Sequence, residues 1–231
     1  MPTMNEPTFA CSDAWKQWWK EPALRAKILD TTEKIVIVLL FSSFVVAMGS
    51  SMLTSLYLGR SVFIGELMLL ATESIMVVMV LIRRNANNLS MRPVDWGLAF
   101  SATCMSLLAR PHDGPGHAWD SIAVLLTMTG LGTQLYAKLT LGRRFGIVAA
   151  NRGICVVGPY RFVRHPIYCG YVMLHLGFFL LNPTLWNFAV FAILYSLKIP
   201  RILAEERLLG QDANYKSYMD RVRFRLIPGL F

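Results

Sequence analysis

The chain has 231 residues, 55% of them hydrophobic, and a mean hydropathy of +0.45, which is too apolar for an ordinary soluble domain. Its formal net charge of +9 is not the footprint of a nucleic-acid binder, because the basic residues lie between apolar runs rather than along one surface. Cys11, Cys104, Cys155 and Cys169 are widely spaced with no CxxC pair, a pattern of neither a zinc site nor a disulfide framework.

Residues 1–34 are polar, with no early apolar run, so no cleaved signal peptide is expected. Trp15, Trp18 and Trp19 among Lys16, Lys20, Arg25 and Lys27 fit an interfacial helix in the headgroup layer. Ile35–Leu58 and Val62–Ile82 are long and apolar enough to span a bilayer. The second carries Glu66 and Glu73 on one helical face; mid-span, Glu73 is either a functional carboxylate or a carboxyl packed between helices. A polar loop from Arg83 to Pro93 leads to Trp96–Ala109, short for a full span. The following loop holds His112, Asp113 and His117, close before Asp120; its glycines and proline read as an exposed turn rather than a metal site. Ile122–Leu141 is a fourth span, with Gly130-Leu131-Gly132 inside it and Lys138 near its end. Ile167–Leu181 and Leu185–Ile199 flank Asn182-Pro183-Thr184 as a short helical hairpin. The expected fold is therefore all-α, a polytopic membrane bundle of about six apolar helices.

If all six runs cross, Lys and Arg number five in the tail and one, three, one, five and none in successive loops. Seven follow at the C-terminal end, counting Lys198. Rich and poor sides alternate, which puts both termini in the cytoplasm. It also puts Gly158–Gly170 and Glu205-Glu206 on that same cytosolic side. The first of these stretches is cationic and aromatic, with Pro159 and Pro166 shaping its backbone. The second places adjacent carboxylates on a helix. Carboxylates accept hydrogen bonds from an ammonium or ribose hydroxyls, tyrosine rings can face a sulfonium or adenine, and Arg164 or His165 can hold a carboxylate. The same arginines could instead serve only lipid phosphates and topology.

Gly-Pro-Tyr-x-x-x-Arg-His-Pro-x-Tyr-x-Gly at 158–170, Arg-x-x-x-Glu-Glu-x-x-Leu at 201–209, and the Tyr215/Tyr218…Pro228 ending together resemble the isoprenylcysteine carboxyl methyltransferase family. That family is in turn similar to the phospholipid N-methyltransferases. The resemblance covers about residues 122–231, and it divides the chain into a tail (1–34), N-terminal membrane helices (35–120) and a methyltransferase core (121–231). It implies an integral membrane enzyme that uses S-adenosylmethionine to methylate a lipophilic acceptor. By the same resemblance Tyr160, Arg164, His165, Tyr168, Gly170, Glu205 and Glu206 line the cofactor pocket. Gly130 and Gly132, with Gly142 and Gly146 following, are similar to the glycine motif of the phospholipid enzymes. Carboxyl-methylating members tend to place an arginine where Gln134 stands; glutamine cannot form a bidentate ion pair, so the acceptor stays open among carboxylate, amine and thiol. Gln134, His165 and Glu206 are the candidate catalytic residues, and a non-catalytic protein of the same fold is the alternative of another class.

Overall fold

The structure, a computed structural model, describes residues 21–59, 64–86, 88–110, 118–227 and Gly229. The tryptophans of the N-terminal tail and the His112–His117 loop lie outside these residues. Seven helices are described: α1 (Pro22–Tyr57), α2 (Ile64–Ile82), α3 (Pro93–Met105), α4 (Asp120–Leu141), α5 (Pro166–Leu181), α6 (Leu185–Leu209) and α7 (Ala213–Arg221). Stretches within Leu24–Tyr57, Asp120–Arg144 and Leu185–Leu209 are long and apolar enough to cross a membrane; Leu67–Ile82 and Pro166–Leu181 are shorter apolar helices.

Helix boundaries follow local chemistry. Pro22, Pro93 and Pro166 occupy first turns, where a missing N–H costs nothing. The Thr184 hydroxyl accepts from the Asn187 N–H at 3.1 Å to start α6, and Gly142, at φ 56°, ends α4. Two elements run beyond their sequence outlines. α1 begins thirteen residues before Ile35, so it carries Asp30 and Glu33 into the protein. α6 continues through Pro200 to Leu209, so one helix joins the hairpin to the Glu205-Glu206 pair. The 83–93 loop also holds β1 (Asn88–Leu89), paired antiparallel with β2 (Ala150–Asn151). A two-residue strand has no periodicity for a sequence reading to detect.

α4 and α5 pack along their length because small residues let their backbones meet. A Cβ on Gly130 would lie 2.5 Å from the Leu174 N, one on Gly170 2.6 Å from the Gln134 Cγ, and one on Gly177 2.5 Å from the Ala123 O. α3 lies antiparallel to α6. Arg207 meets Asp95 at one end, with Nη2 2.7 Å from Oδ2. At the other end the Trp186 indole donates to the Leu108 carbonyl at 2.9 Å, and Asn187 bonds the Arg110 backbone. Short as it is, the 93–110 segment thus runs from the Glu205-Glu206 end to the hairpin turn.

Candidate active site

The polar centre is assembled from three chain segments. Gly158, at φ 58°, opens a 3-10 turn over Gly158–Arg161; a Cβ there would also press on Thr140 and Tyr136. The chain then reaches His165, which precedes α5. Across it lies the C-terminal segment: the Arg164 and His165 amides donate to the Phe224 and Arg225 carbonyls at 3.0 and 2.9 Å. The end of α6 closes the third side.

Glu206 is the hub of this junction. Its Oε1 accepts from Arg164 Nε at 2.7 Å and lies 3.2 Å from His165 Nε2, while Oε2 accepts from Arg225 Nε at 2.7 Å. Arg164 Nη1 donates to the Val222 and Arg223 carbonyls at 2.9 and 3.0 Å. Glu205 faces differently. It accepts from the Tyr168 hydroxyl at 2.6 Å, lies 3.4 Å from Arg201 Nε, and its Oε2 is 3.8 Å from His165 Nδ1. Tyr218 donates to the Tyr160 carbonyl at 2.7 Å. Burial pushes the Tyr160, Tyr215 and Tyr218 phenols well above their ordinary range, helped by the neighbouring Cys155 at Tyr160 and Tyr218 and by Glu206 at Tyr215 and Tyr218. They remain neutral hydrogen-bonding groups.

These residues form one end of a cavity of about 740 Å³. Tyr160, Arg164, His165, Tyr168, Glu205, Tyr215 and Tyr218 line that end, and the cavity continues between Phe41, Phe44, Leu69, Phe178 and Phe191 into the helix bundle. Five of the residues expected around a cofactor therefore share one wall. Glu206 stands behind it, holding Arg164 and His165 in place. Gly130, Gly170 and Gln134 lie in the α4–α5 seam, and Gly132 has no atom nearer than the Met68 Cε, 4.0 Å from an added Cβ; none of the four is a cavity wall residue. Glu73 does line the cavity and faces the buried Lys138 at 3.5 Å.

Several residues that build the site carry no motif. The cavity's loop 145–149 is held on one side by Glu33, whose Oε1 accepts the Ile147 and Val148 amides at 2.9 Å each. On the other side Arg201 donates to the Ile147 carbonyl at 2.8 Å. Lys198, Tyr171 and His175 line the passage between the polar and apolar ends. Lys198 was detectable as a cation in an apolar run; nothing in the sequence pairs Glu33 with a loop 114 residues away.

No curated protein matches the chain in sequence. One similar solved structure is that of a eukaryotic intramembrane Ras methyltransferase, ICMT (isoprenylcysteine carboxyl methyltransferase), determined without a monobody. It is 16% identical, with 95% of this chain and 91% of that one covered and a TM-score of 0.45. Residues 119–213 match the family model described as phospholipid methyltransferase. That segment runs from the start of α4 through the Arg164–Glu206 junction, and over it the chain is similar to the phospholipid methyltransferases.

Proposed function

We propose that the protein is an integral membrane, S-adenosylmethionine-dependent methyltransferase of the isoprenylcysteine carboxyl methyltransferase-like kind. Its cofactor would lie at the polar end of the cavity and a lipophilic acceptor at the apolar end. The observation that carries this reading is the continuity of the two ends: a charged, aromatic chamber opens directly into a passage walled by phenylalanines and leucines.

The donor set suits the cofactor. Glu205 offers a carboxylate oxygen to an ammonium or ribose hydroxyls, and the Tyr160 and Tyr168 rings line the same chamber as faces for a sulfonium or adenine. His165 is available to a carboxylate or, with an amine acceptor, to a proton. Arg164 and Glu206 act mainly on each other and on the chain around them. When bound, S-adenosylmethionine supplies an electrophilic methyl group. The protein's part is to orient the two reactants and exclude water, and no protein nucleophile is required. Gly130, Gly132, Gly170 and Gln134 serve this site through the α4 helix and its seam with α5.

The alternating basic loops support a cytosolic site with both termini cytoplasmic, and the end-to-end course of α3 beside α6 supports the crossing on which that alternation depends. Membrane lipids are the surrounding partners; the charge pattern gives no role to nucleic acid. Methylation of a phospholipid amine is the second reading, favoured by the match over residues 119–213.

Calorimetric titration of the purified protein in detergent with S-adenosylmethionine tests the proposal. The wild type should bind, and Glu205→Gln should bind more weakly. A folded wild type that binds none would leave a non-catalytic membrane protein that keeps the fold.

A further inference from the structure

Two facing ladders form the passage between the ends of the cavity. On α6, Lys198, Arg201 and Glu205 recur at i, i+3 and i+7, hence along one side of the helix. On α5, Tyr168, Tyr171 and His175 do the same. The rungs meet in antiparallel order. Tyr168 bonds Glu205, the Lys198 ammonium sits 3.6 Å from the centre of the Tyr171 ring, and His175 stacks on Phe191 at 5.0 Å and bonds the Tyr195 hydroxyl at 3.0 Å.

Lys198 is the anomalous rung. It is 5% exposed, lines the cavity and lies within an apolar stretch of α6. Arg152, Arg164 and Arg201 on the same cavity each face a carboxylate, and Glu73 is engaged by Lys138. Among the described residues Lys198 has ring faces and no ion pair: Tyr171, then Tyr168 at 5.9 Å and Tyr195 at 6.0 Å. A buried ammonium held only by aromatic faces is costly. Within membrane segments such groups mark the path of a charged ligand. The Lys138 and Lys198 side chains set two basic groups beside the single Glu73 carboxylate at the junction of the polar chamber and the apolar passage. Lys198 also stands about 10 Å along the helix from Glu205, given a 1.5 Å rise per residue. It is therefore beyond the Glu205 chamber and on the acceptor's side.

Resting on the acceptor reading of the apolar end, we infer that Lys198 is the residue that selects the acceptor: its ammonium holds an anionic head group, a carboxylate or a phosphodiester, on a molecule whose hydrocarbon chain runs between Phe44, Leu69, Phe178 and Phe191. The aromatic box keeps the ammonium in position before the ligand arrives.

The test is calorimetric titration in a neutral detergent with palmitate, 1-palmitoyl-lysophosphatidylglycerol and methyl palmitate, each against wild type, Lys198→Met and Lys198→Arg. At least one anionic probe should bind the wild type, weaken roughly tenfold or more in Lys198→Met, and recover in Lys198→Arg. Methyl palmitate should respond alike in all three. The anionic probe that shows the dependence identifies the head group. Equal losses for methyl palmitate and the anions would reduce Lys198 to packing and overturn the inference, as would anionic binding unchanged by Lys198→Met or absent from the wild type. S-adenosylmethionine titrated into the same preparations separates this from the cofactor proposal. Cofactor binding without a Lys198-dependent charge preference defeats the inference alone. A charge preference without cofactor binding defeats the methyltransferase proposal and leaves the anion site standing. Cofactor binding retained by Lys198→Met shows that the variant is folded.

Discussion

Arg164 and Glu206, 42 residues apart, meet at 2.7 Å with side chains only 5% and 6% exposed, and through that pair the start of α5, the end of α6 and the C-terminal chain become one unit. The adjacent Glu205 takes part in none of Arg164's bonds and opens instead onto the cavity. Two neighbouring carboxylates on one helix thus divide the work, one fixing the wall and the other facing the cavity.

That division predicts different phenotypes. Glu206→Ala removes the acceptor that Arg164 and Arg225 share, and breaking a buried pair from one side costs about 3–5 kcal/mol. Its thermal unfolding midpoint should fall sharply. Glu205→Gln keeps shape and most hydrogen bonding, so its midpoint should stay near wild type while cofactor affinity drops. Equal thermal losses in the two variants would contradict the division.

The seam between α4 and α5 separates packing from ligand contact among the glycines. Gly130→Ala would drive a Cβ to 2.5 Å from the Leu174 N and 2.7 Å from the Gly170 O, backbone atoms that cannot swing away. Overpacking of this kind costs about 1–3 kcal/mol or more. Gly132→Ala meets nothing closer than 4.0 Å and should leave stability unchanged to within about 0.5 kcal/mol. Thermal unfolding of both variants, read beside S-adenosylmethionine titration, checks the contrast. Greater cofactor loss in Gly132→Ala than in Gly130→Ala would return the glycine motif to a direct binding role.

Asp95 gives the fold a pH-dependent fastening. Burial alone would raise its carboxyl, but the Ser90 hydroxyl and the Arg207 guanidinium outweigh it and hold the group below its ordinary value. A carboxyl lowered in the folded state adds stability that is present above its unfolded value of about 3.9. That stability is lost as pH falls through the folded value. Asp95→Asn should therefore lower the unfolding midpoint at pH 7, with the gap to wild type closing as the pH drops below about 4. A gap independent of pH would assign the effect to the lost geometry instead of the charge.

The parts of this fold that follow from periodicity and local chemistry were legible in the sequence. Apolar runs mark the helices, Asn182-Pro183-Thr184 marks the hairpin turn, and His165-Pro166 marks the start of α5. The polar wall was legible through its motifs, because Tyr168 and Glu205 sit in recognisable spacings. What was not legible depends on residues far apart in the chain. The division of labour between Glu205 and Glu206 turns on which carboxylate points at Arg164. The packing role of Gly130 turns on the backbone of Leu174, 44 residues on. The importance of Lys198 turns on Tyr168 and Tyr171 across the passage and on Tyr195 of its own helix, none of which has a charge pattern to announce it.

The same limit applies to Glu33, and it yields the last prediction. This fully buried carboxylate on α1 accepts two consecutive amides of the cavity loop through Oε1. Through Oε2 it meets Arg83 at 3.1 Å and Arg152 at 3.0 Å. Asp30, one helical turn earlier, meets the same two arginines at 3.1 and 2.6 Å. Two acids and two bases balance, so the cluster is neutral as a whole, and Glu33→Gln leaves it with an excess positive charge and a donor amide among donors. Members of a buried polar network depend on one another, and the loop should be the first part to loosen because its two amides depend on one oxygen. Hydrogen exchange at Ile147 and Val148 should speed up markedly in Glu33→Gln, while amides in the α4–α5 seam stay protected. Weaker cofactor binding should accompany it, since the loop is part of the cavity wall. Unchanged exchange at those two amides would show that Arg201, bonded to the Ile147 carbonyl from the opposite side, holds the loop without help from α1.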